Sequence, residues 1–132
     1  RLEQTLIVIK PDGVEQKLVG DILSRFEKKE FNILKMKMFN FTKEQAEKLY
    51  LPHREKSFFS TLVLFIISGP VVAVILEGST AIEVVRKMIG STKSYEAAPG
   101  TIRGDYGLGL TENIIHASDS KESFERESKI IF

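Results

Sequence analysis

The chain has 132 residues, 42% hydrophobic and 28% charged, with a net charge of +1 at neutral pH; this is the profile of one globular domain, residues 1–132, with one core. The balance of charge excludes a global electrostatic footprint for nucleic acid or an acidic membrane, so neither is an expected partner, while a local basic pocket stays open. The absence of cysteine excludes disulfides, thiolate chemistry and cysteine–zinc sites, and fits the expected cytoplasmic location.

The chain begins at Arg1 rather than Met, so further residues are expected ahead of it, and no signal-peptide pattern is present. Thr5-Leu6-Ile7-Val8-Ile9 is a continuous apolar run, which predicts a central strand buried on both faces. At Lys10-Pro11-Asp12-Gly13 the proline keeps Lys10 extended and Pro-Asp-Gly turns the chain, fixing Lys10 at a strand end. Leu18, Val19, Ile22, Leu23 and Phe26 follow helical spacing. A second strand is predicted from Asn32 to Phe41, with Leu34, Met36 and Met38 alternating with Lys35 and Lys37 as on a half-exposed edge. Phe39 and Phe41 fall on the lysine face, and exposed aromatics there point to a pairing subunit.

Thr42-Lys43-Glu44-Gln45 reads as a capping box for a helix to about Tyr50, stopped by Pro52. Ser57 to Leu76 carries no charge and has about the length of a membrane span, but Ser68-Gly69-Pro70 cuts it into a buried helix, Phe58 to Phe65, and a buried strand, Val71 to Leu76. Thr80-Ala81-Ile82-Glu83 reads as a second capping box. Its helix buries Ala81, Val84, Val85, Met88 and Ile89, carries Arg86 off that stripe and ends at Gly90. Ser91 to Glu112 has little periodicity and reads as a long functional loop holding Thr92, Arg103 and Asp105. Ile114-Ile115 then delivers His116 to the end of a buried strand, and Ser120 starts a last helix on which Ser120, Phe124 and Glu127 share a stripe. Phe124 pointing inward drags Glu127 with it, and a buried carboxylate needs a partner. The order is that of a ferredoxin-like βαββαβ fold of the α+β class, an antiparallel four-stranded sheet with helices packed on it and an inserted helical pair.

Lys10, Tyr50, Arg86, Thr92, Arg103, Asn113, His116 and Glu127 lie at strand ends or in loops. Two arginines, a lysine and a threonine suit phosphate oxygens. An imidazole that is neutral at pH 7 has a free lone pair, which serves a nucleophile, a base or a metal ligand. As a phosphoryl acceptor it needs an unprotonated nitrogen, with a carboxylate, here Glu127, fixing the tautomer. The plainer alternative is a buried histidine satisfied by the backbone. A metal-dependent hydrolase would need more ligands than His116, and His53 reads as too isolated to be one. No P-loop or dinucleotide fingerprint is present.

Four motifs carry a family resemblance: Ile9-Lys10-Pro11-Asp12-Gly13-Val14, Ser68-Gly69-Pro70-Val71-Val72-Ala73, Pro99-Gly100-Thr101-Ile102-Arg103-Gly104-Asp105, and Asn113-Ile114-Ile115-His116-Ala117-Ser118-Asp119-Ser120. In that order they resemble the nucleoside diphosphate kinases across essentially the whole chain. The resemblance implies a ping-pong transfer of the γ-phosphate from a nucleoside triphosphate to a nucleoside diphosphate through a phosphohistidine at His116. It implies Lys10, Tyr50 and Asn113 at the sugar hydroxyls and transferred phosphate; Arg86, Thr92 and Arg103 at the other phosphates, with Mg²⁺ carried by the nucleotide; Phe58 and Leu110 around the base; and Glu127 and Ser118 orienting the histidine. It also implies a homo-oligomer, hexamer or tetramer, built from dimers that join at the edge strand. The chain departs from the family at Ala117, where glycine is usual, and at Lys56-Ser57, where Arg-Pro precedes the two phenylalanines. Its end at Phe132 bears on the order of assembly rather than on the chemistry.

Overall fold

In the computed structural model, residues 2–109 and 113–132 are described. Strands β1 (Leu2–Ile9), β2 (Asn32–Phe39), β3 (Val71–Ser79) and β4 (Ile115–Ala117) form one sheet in the order β2-β3-β1-β4. Every neighbouring pair is antiparallel, so the ferredoxin-like arrangement holds. The helices are α1 (Pro11–Glu15), α2 (Val19–Lys28), α3 (Lys43–Leu49), α4 (Phe59–Ile66), α5 (Ala81–Ile89), α6 (Ile102–Tyr106) and α7 (Lys121–Ile131), with single 3₁₀ turns at Leu51–His53 and Ser94–Glu96.

Period-two alternation sorts the strand residues between two cores. Ile7, Ile9, Val72, Val74, Leu76, Ile115 and Ala117 pack with Ile22 and Phe26 of α2 and with Ala81, Val85 and Ile89 of α5. Leu6, Val8, Val71, Ala73 and Ile75 pack on the other face, with Ala46 and Leu49 of α3, Val63 and Ile66 of α4, and Ile131 of α7. The charge-free stretch is a short helix followed by β3, and among the described residues no helix is long and apolar enough to cross a membrane.

Several local expectations are corrected. The Thr42–Gln45 capping box forms, but the one at Thr80 does not. Thr80 is left-handed (φ 51°) and caps with no side-chain bond; the Ile82 amide is taken by Glu3 Oε1 of β1 at 2.9 Å, a tertiary cap supplied from the strand paired with β3. The Pro-Asp-Gly turn is the start of α1, with proline in the first turn, where its missing N–H costs nothing. The long loop contains α6, whose Thr101 side chain accepts from the Gly104 amide; five residues are too few to show a period.

The edge strand differs most. β2 stops at Phe39 and its register slips between Ile33 and Lys35. Phe41 is buried, and Phe39 packs edge-on against it at 4.8 Å, so these aromatics are core. Lys37 lies over the Phe39 ring at 4.7 Å. The exposed apolar side chains are instead Leu34 (45%), Met36 (54%) and Met38 (61%), on the outermost strand of the sheet. Helix α4 is likewise half-covered: Val63 and Ile66 are buried, while Leu64 and Phe58 are exposed.

Candidate active site

His116 is the middle residue of β4, opposite Val8 of β1. The pleat sends Ile115 and Ala117 into one core and turns His116 to the other face. There the Tyr50 ring, at the C-terminal end of α3, stands edge-on at 6.5 Å, and α7 brings up Glu127. Glu127 Oε1 lies 3.0 Å from His116 Nε2 and accepts from the Ser118 hydroxyl at 2.7 Å. Its other oxygen accepts from Arg126 Nη2 at 3.4 Å.

Glu127 is almost fully buried. Burial raises its pKa, but the His116 hydrogen bond and charge, the Ser118 hydroxyl and Arg126 outweigh that and hold it below the usual carboxylate range. An ionised carboxylate only accepts, so Nε2 is the donor of the pair, and in the neutral form of the ring the lone pair lies on Nδ1. The His116 side chain keeps 21% of its surface exposed, against 5% for Glu127. The carboxylate braces the ring from behind while the ring faces open space.

That space is a cavity of about 450 Å³ lined by Lys10, Tyr50, Phe58, Arg86, Thr92, Arg103, Asn113, His116 and Glu127, with His53, Asp119 and Arg126 among its other walls. Nine residues singled out in the sequence therefore converge. Ser118 stands behind the wall, on Glu127. Leu110 lies outside the described residues. His53, expected to be isolated, lines the same cavity, because the 3₁₀ turn after α3 swings it to 5.7 Å from the Phe58 ring and 6.5 Å from Tyr50. Among the described residues no three His, Asp or Glu side chains cluster as metal ligands. Arg126 went unnoticed in the sequence, since a charge beside Glu127 on a polar helix has no distinguishing pattern.

The cations are held by the fold. Lys10, at the N-cap of α1 and nearly buried, donates Nζ to Asn113 Oδ1 at 2.7 Å. Burial, and then the charge of Arg103, lower its pKa to about 7, with Asp12 opposing. Arg103, on α6, is also buried and gives hydrogen bonds to three carbonyls: Asn113 at 3.3 Å, Gly90 at 3.0 Å and Ile115 at 2.7 Å. Burial and the neighbouring Arg86 lower its pKa to about 10, against the opposing effect of Tyr50. Arg86, on the polar flank of α5, donates Nη1 to the Ala117 carbonyl at 3.1 Å, and the Thr92 carbonyl accepts Asn113 Nδ2 at 3.1 Å. Burial and the Glu127 charge push the Tyr50 phenol well up, so it stays a hydroxyl donor. Phe58, at the N-cap of α4, is 42% exposed at the rim. The arrangement is an imidazole held at Nε2 by a carboxylate, sharing one cavity with Lys10, Arg86, Arg103 and an exposed aromatic face, which suits in-line transfer of a phosphoryl group from a nucleotide.

Comparisons with known proteins agree. The sequence profile of the nucleoside diphosphate kinase family matches residues 3–132. The nucleoside diphosphate kinase of Hyperthermus butylicus is 60% identical over 99% of this chain and 92% of its own length, and that of Sulfolobus acidocaldarius is 56% identical over 99% and 90%. A crystal structure of the Aquifex aeolicus nucleoside diphosphate kinase superposes with a TM-score of 0.96 at 48% identity, covering 100% of this chain and 96% of that one. The Halobacterium salinarum nucleoside diphosphate kinase, solved in complex with CDP, gives a TM-score of 0.97 at 44% identity, over 100% and 88%. The chain belongs to the nucleoside diphosphate kinase family and is an enzyme of phosphoryl transfer from nucleoside triphosphates to nucleoside diphosphates.

Proposed function

We propose that His116 Nδ1 is the atom that carries the phosphoryl group between the two nucleotides, within a single domain formed by residues 1–132. The observation that carries this reading is the Glu127 contact at Nε2, which leaves the lone pair on Nδ1. In the first half-reaction that lone pair forms the N–P bond as the bond from the γ-phosphorus to its bridging oxygen breaks, and the nucleoside diphosphate leaves with the electron pair. A second nucleoside diphosphate then takes the group by the reverse displacement.

Lys10, Tyr50 and Asn113 meet the transferred phosphate and the sugar hydroxyls. Arg86, Thr92 and Arg103 hold the remaining phosphates, neutralising charge that is already in place rather than recruiting it. Phe58, with Leu110, stacks the base, an interaction every base offers. Ser118 and Glu127 orient the ring. A Mg²⁺ carried in on the nucleotide would be held through the phosphates that Lys10, Arg86 and Arg103 grip, and would supply further neutralisation of their charge.

The working form is a homo-oligomer, hexamer or tetramer, assembled from dimers that pair along β2, where Leu34, Met36 and Met38 stand exposed. Its location is the cytoplasm.

Incubation with γ-labelled ATP and no acceptor tests the chemistry. The chain is expected to hold acid-labile label and to release it on addition of GDP, and a His116→Ala variant to bind nucleotide without taking label. Label on that variant would overturn the assignment.

A further inference from the structure

Two residues before His116 the backbone does something no β-branched residue adopts freely. Ile114 has φ +73°, and the Ile115 amide bonds back to the Asn113 carbonyl at 2.8 Å. A bond from residue i+2 around a positive-φ residue is a γ-turn, a rare and strained one, and such strain persists only where the surroundings impose it. Both polar ends of Ile114 are held by one other segment. Its amide donates to Asp12 Oδ2 at 3.0 Å, and its carbonyl accepts from the Lys10 amide at 2.8 Å. The segment lies hard against the turn: a Cβ on Gly13 would meet the Ile114 oxygen at 3.0 Å and Ile9 Cγ2 at 2.9 Å.

Asp12 is not among the residues lining the cavity. Its second oxygen, Oδ1, is buried with no hydrogen-bond partner among the described residues. Burial raises its pKa, while the Ile114 amide and the charge of Lys10 oppose that. The carboxylate is half-buried and is also drawn by the Gly13 amide and its own, and its 3.0 Å bond goes to the strained peptide. On either side of that peptide stand Asn113, which receives Lys10, and Ile115, whose carbonyl anchors Arg103; His116 follows.

We propose that Asp12 is a positioning residue for phosphoryl transfer: by clamping the strained Ile114 turn it sets the placement of His116 toward the phosphate. This rests on the reading of His116 as the phosphoryl acceptor. A displacement of the order of an ångström in a reacting group costs about 100-fold in rate, so the clamp acts on the chemical step and not on nucleotide affinity.

The test is single-turnover labelling from γ-labelled ATP, together with ADP affinity, in the full chain. Asp12→Ala is expected to slow labelling about 100-fold with ADP affinity unchanged. Asp12→Asn, which keeps an acceptor oxygen for the Ile114 amide, is expected to retain most of the rate. Asp12→Ala combined with Ile114→Gly is expected to recover part of it, because glycine takes the left-handed geometry without strain.

A folded Asp12→Ala that labels like the parent, or that loses ADP affinity in step with rate, overturns the proposal, as does a folded Asp12→Asn as slow as Asp12→Ala. Should Asp12→Ala fail to fold, the double variant decides: a folded chain that takes label supports the clamp, and an unfolded or inert one overturns it. A parent chain that takes no label at His116 sinks the acceptor reading itself, a result separate from all of these.

Discussion

Lys10 Nζ donates to Asn113 Oδ1 at 2.7 Å, tying the end of β1 to a residue 103 positions along the chain. The pair is buried, and the ammonium is held at a pKa of about 7 by burial and by Arg103.

The unfolded chain keeps the ordinary lysine value of 10.5. Between the two values it binds more protons than the folded chain, so the stability of the ligand-free protein rises as pH goes from about 7 to about 10.5. Lys10→Met removes that lysine contribution, which is read from denaturation midpoints against pH. An arriving phosphate favours the ammonium, so diphosphate binding somewhat above neutrality takes up a proton. Calorimetry in two buffers of different ionisation enthalpy measures the uptake, and Lys10→Met abolishes it.

Glu127→Gln tests the brace. A carboxamide can accept or donate at Nε2, so the ring loses its fixed tautomer, and labelling of His116 is expected to slow by about 10- to 100-fold, a loss of orientation. Glu127 also has a depressed folded pKa, from burial opposed and outweighed by His116, Ser118 and Arg126. Its contribution to stability is therefore present above its unfolded value of 4.5 and lost as pH falls through the folded one. The glutamine variant flattens that acid limb, as unfolding midpoints across the range will show.

Phe58 is exposed enough that Phe58→Ala leaves stability nearly unchanged. Loss of about 1–3 kcal/mol of base stacking raises KM roughly 5- to 150-fold for purine and pyrimidine nucleotides alike. Steady-state kinetics with four different diphosphates check this. A penalty confined to one base would point to edge recognition instead.

Ala117 is 2% exposed, sits in β4 and offers its carbonyl to Arg86. Its methyl fills core, so Ala117→Gly is expected to cost about 0.5–1 kcal/mol of stability and to leave the labelling rate as it is. A faster variant would mean that the methyl crowds the nucleophile.

Met36 and Met38 on β2 are the residues to charge if dimers form along that edge. Met36→Lys with Met38→Lys is expected to shift the sedimentation coefficient to a smaller species while each subunit stays folded. An unchanged assembly would place the contact elsewhere.

Elements with an unbroken period were legible in the sequence. α2, α5 and α7 show their stripes, and β1 and β3, buried on both faces, show their apolar runs. Most of the site was legible too, since Lys10, Arg86, Asn113 and His116 sit next to such elements and the four motifs matched a known pattern. What escaped depended on partners far along the chain. Glu3 capping α5 from the neighbouring strand carries no local signature, and neither does Asp12 reaching Ile114. The exposure of Met36 and Met38 follows from which strand lies outermost and which face the helices cover, a matter of tertiary arrangement rather than of alternation. His53 looked isolated because only the turn at Leu51–His53 brings it round.

Arg103 spends three of the guanidinium's N–H groups on carbonyls from the end of α5, the Asn113 turn and β4, out of the five such groups an arginine has. It works as a tie rod joining three segments, and its charge is delivered as a by-product of that bracing. A phosphate chain entering the cavity would meet a cation with nowhere else to go, so nothing would have to swing into place or shed freedom on contact. A lysine at this position would keep the charge and let the frame go slack.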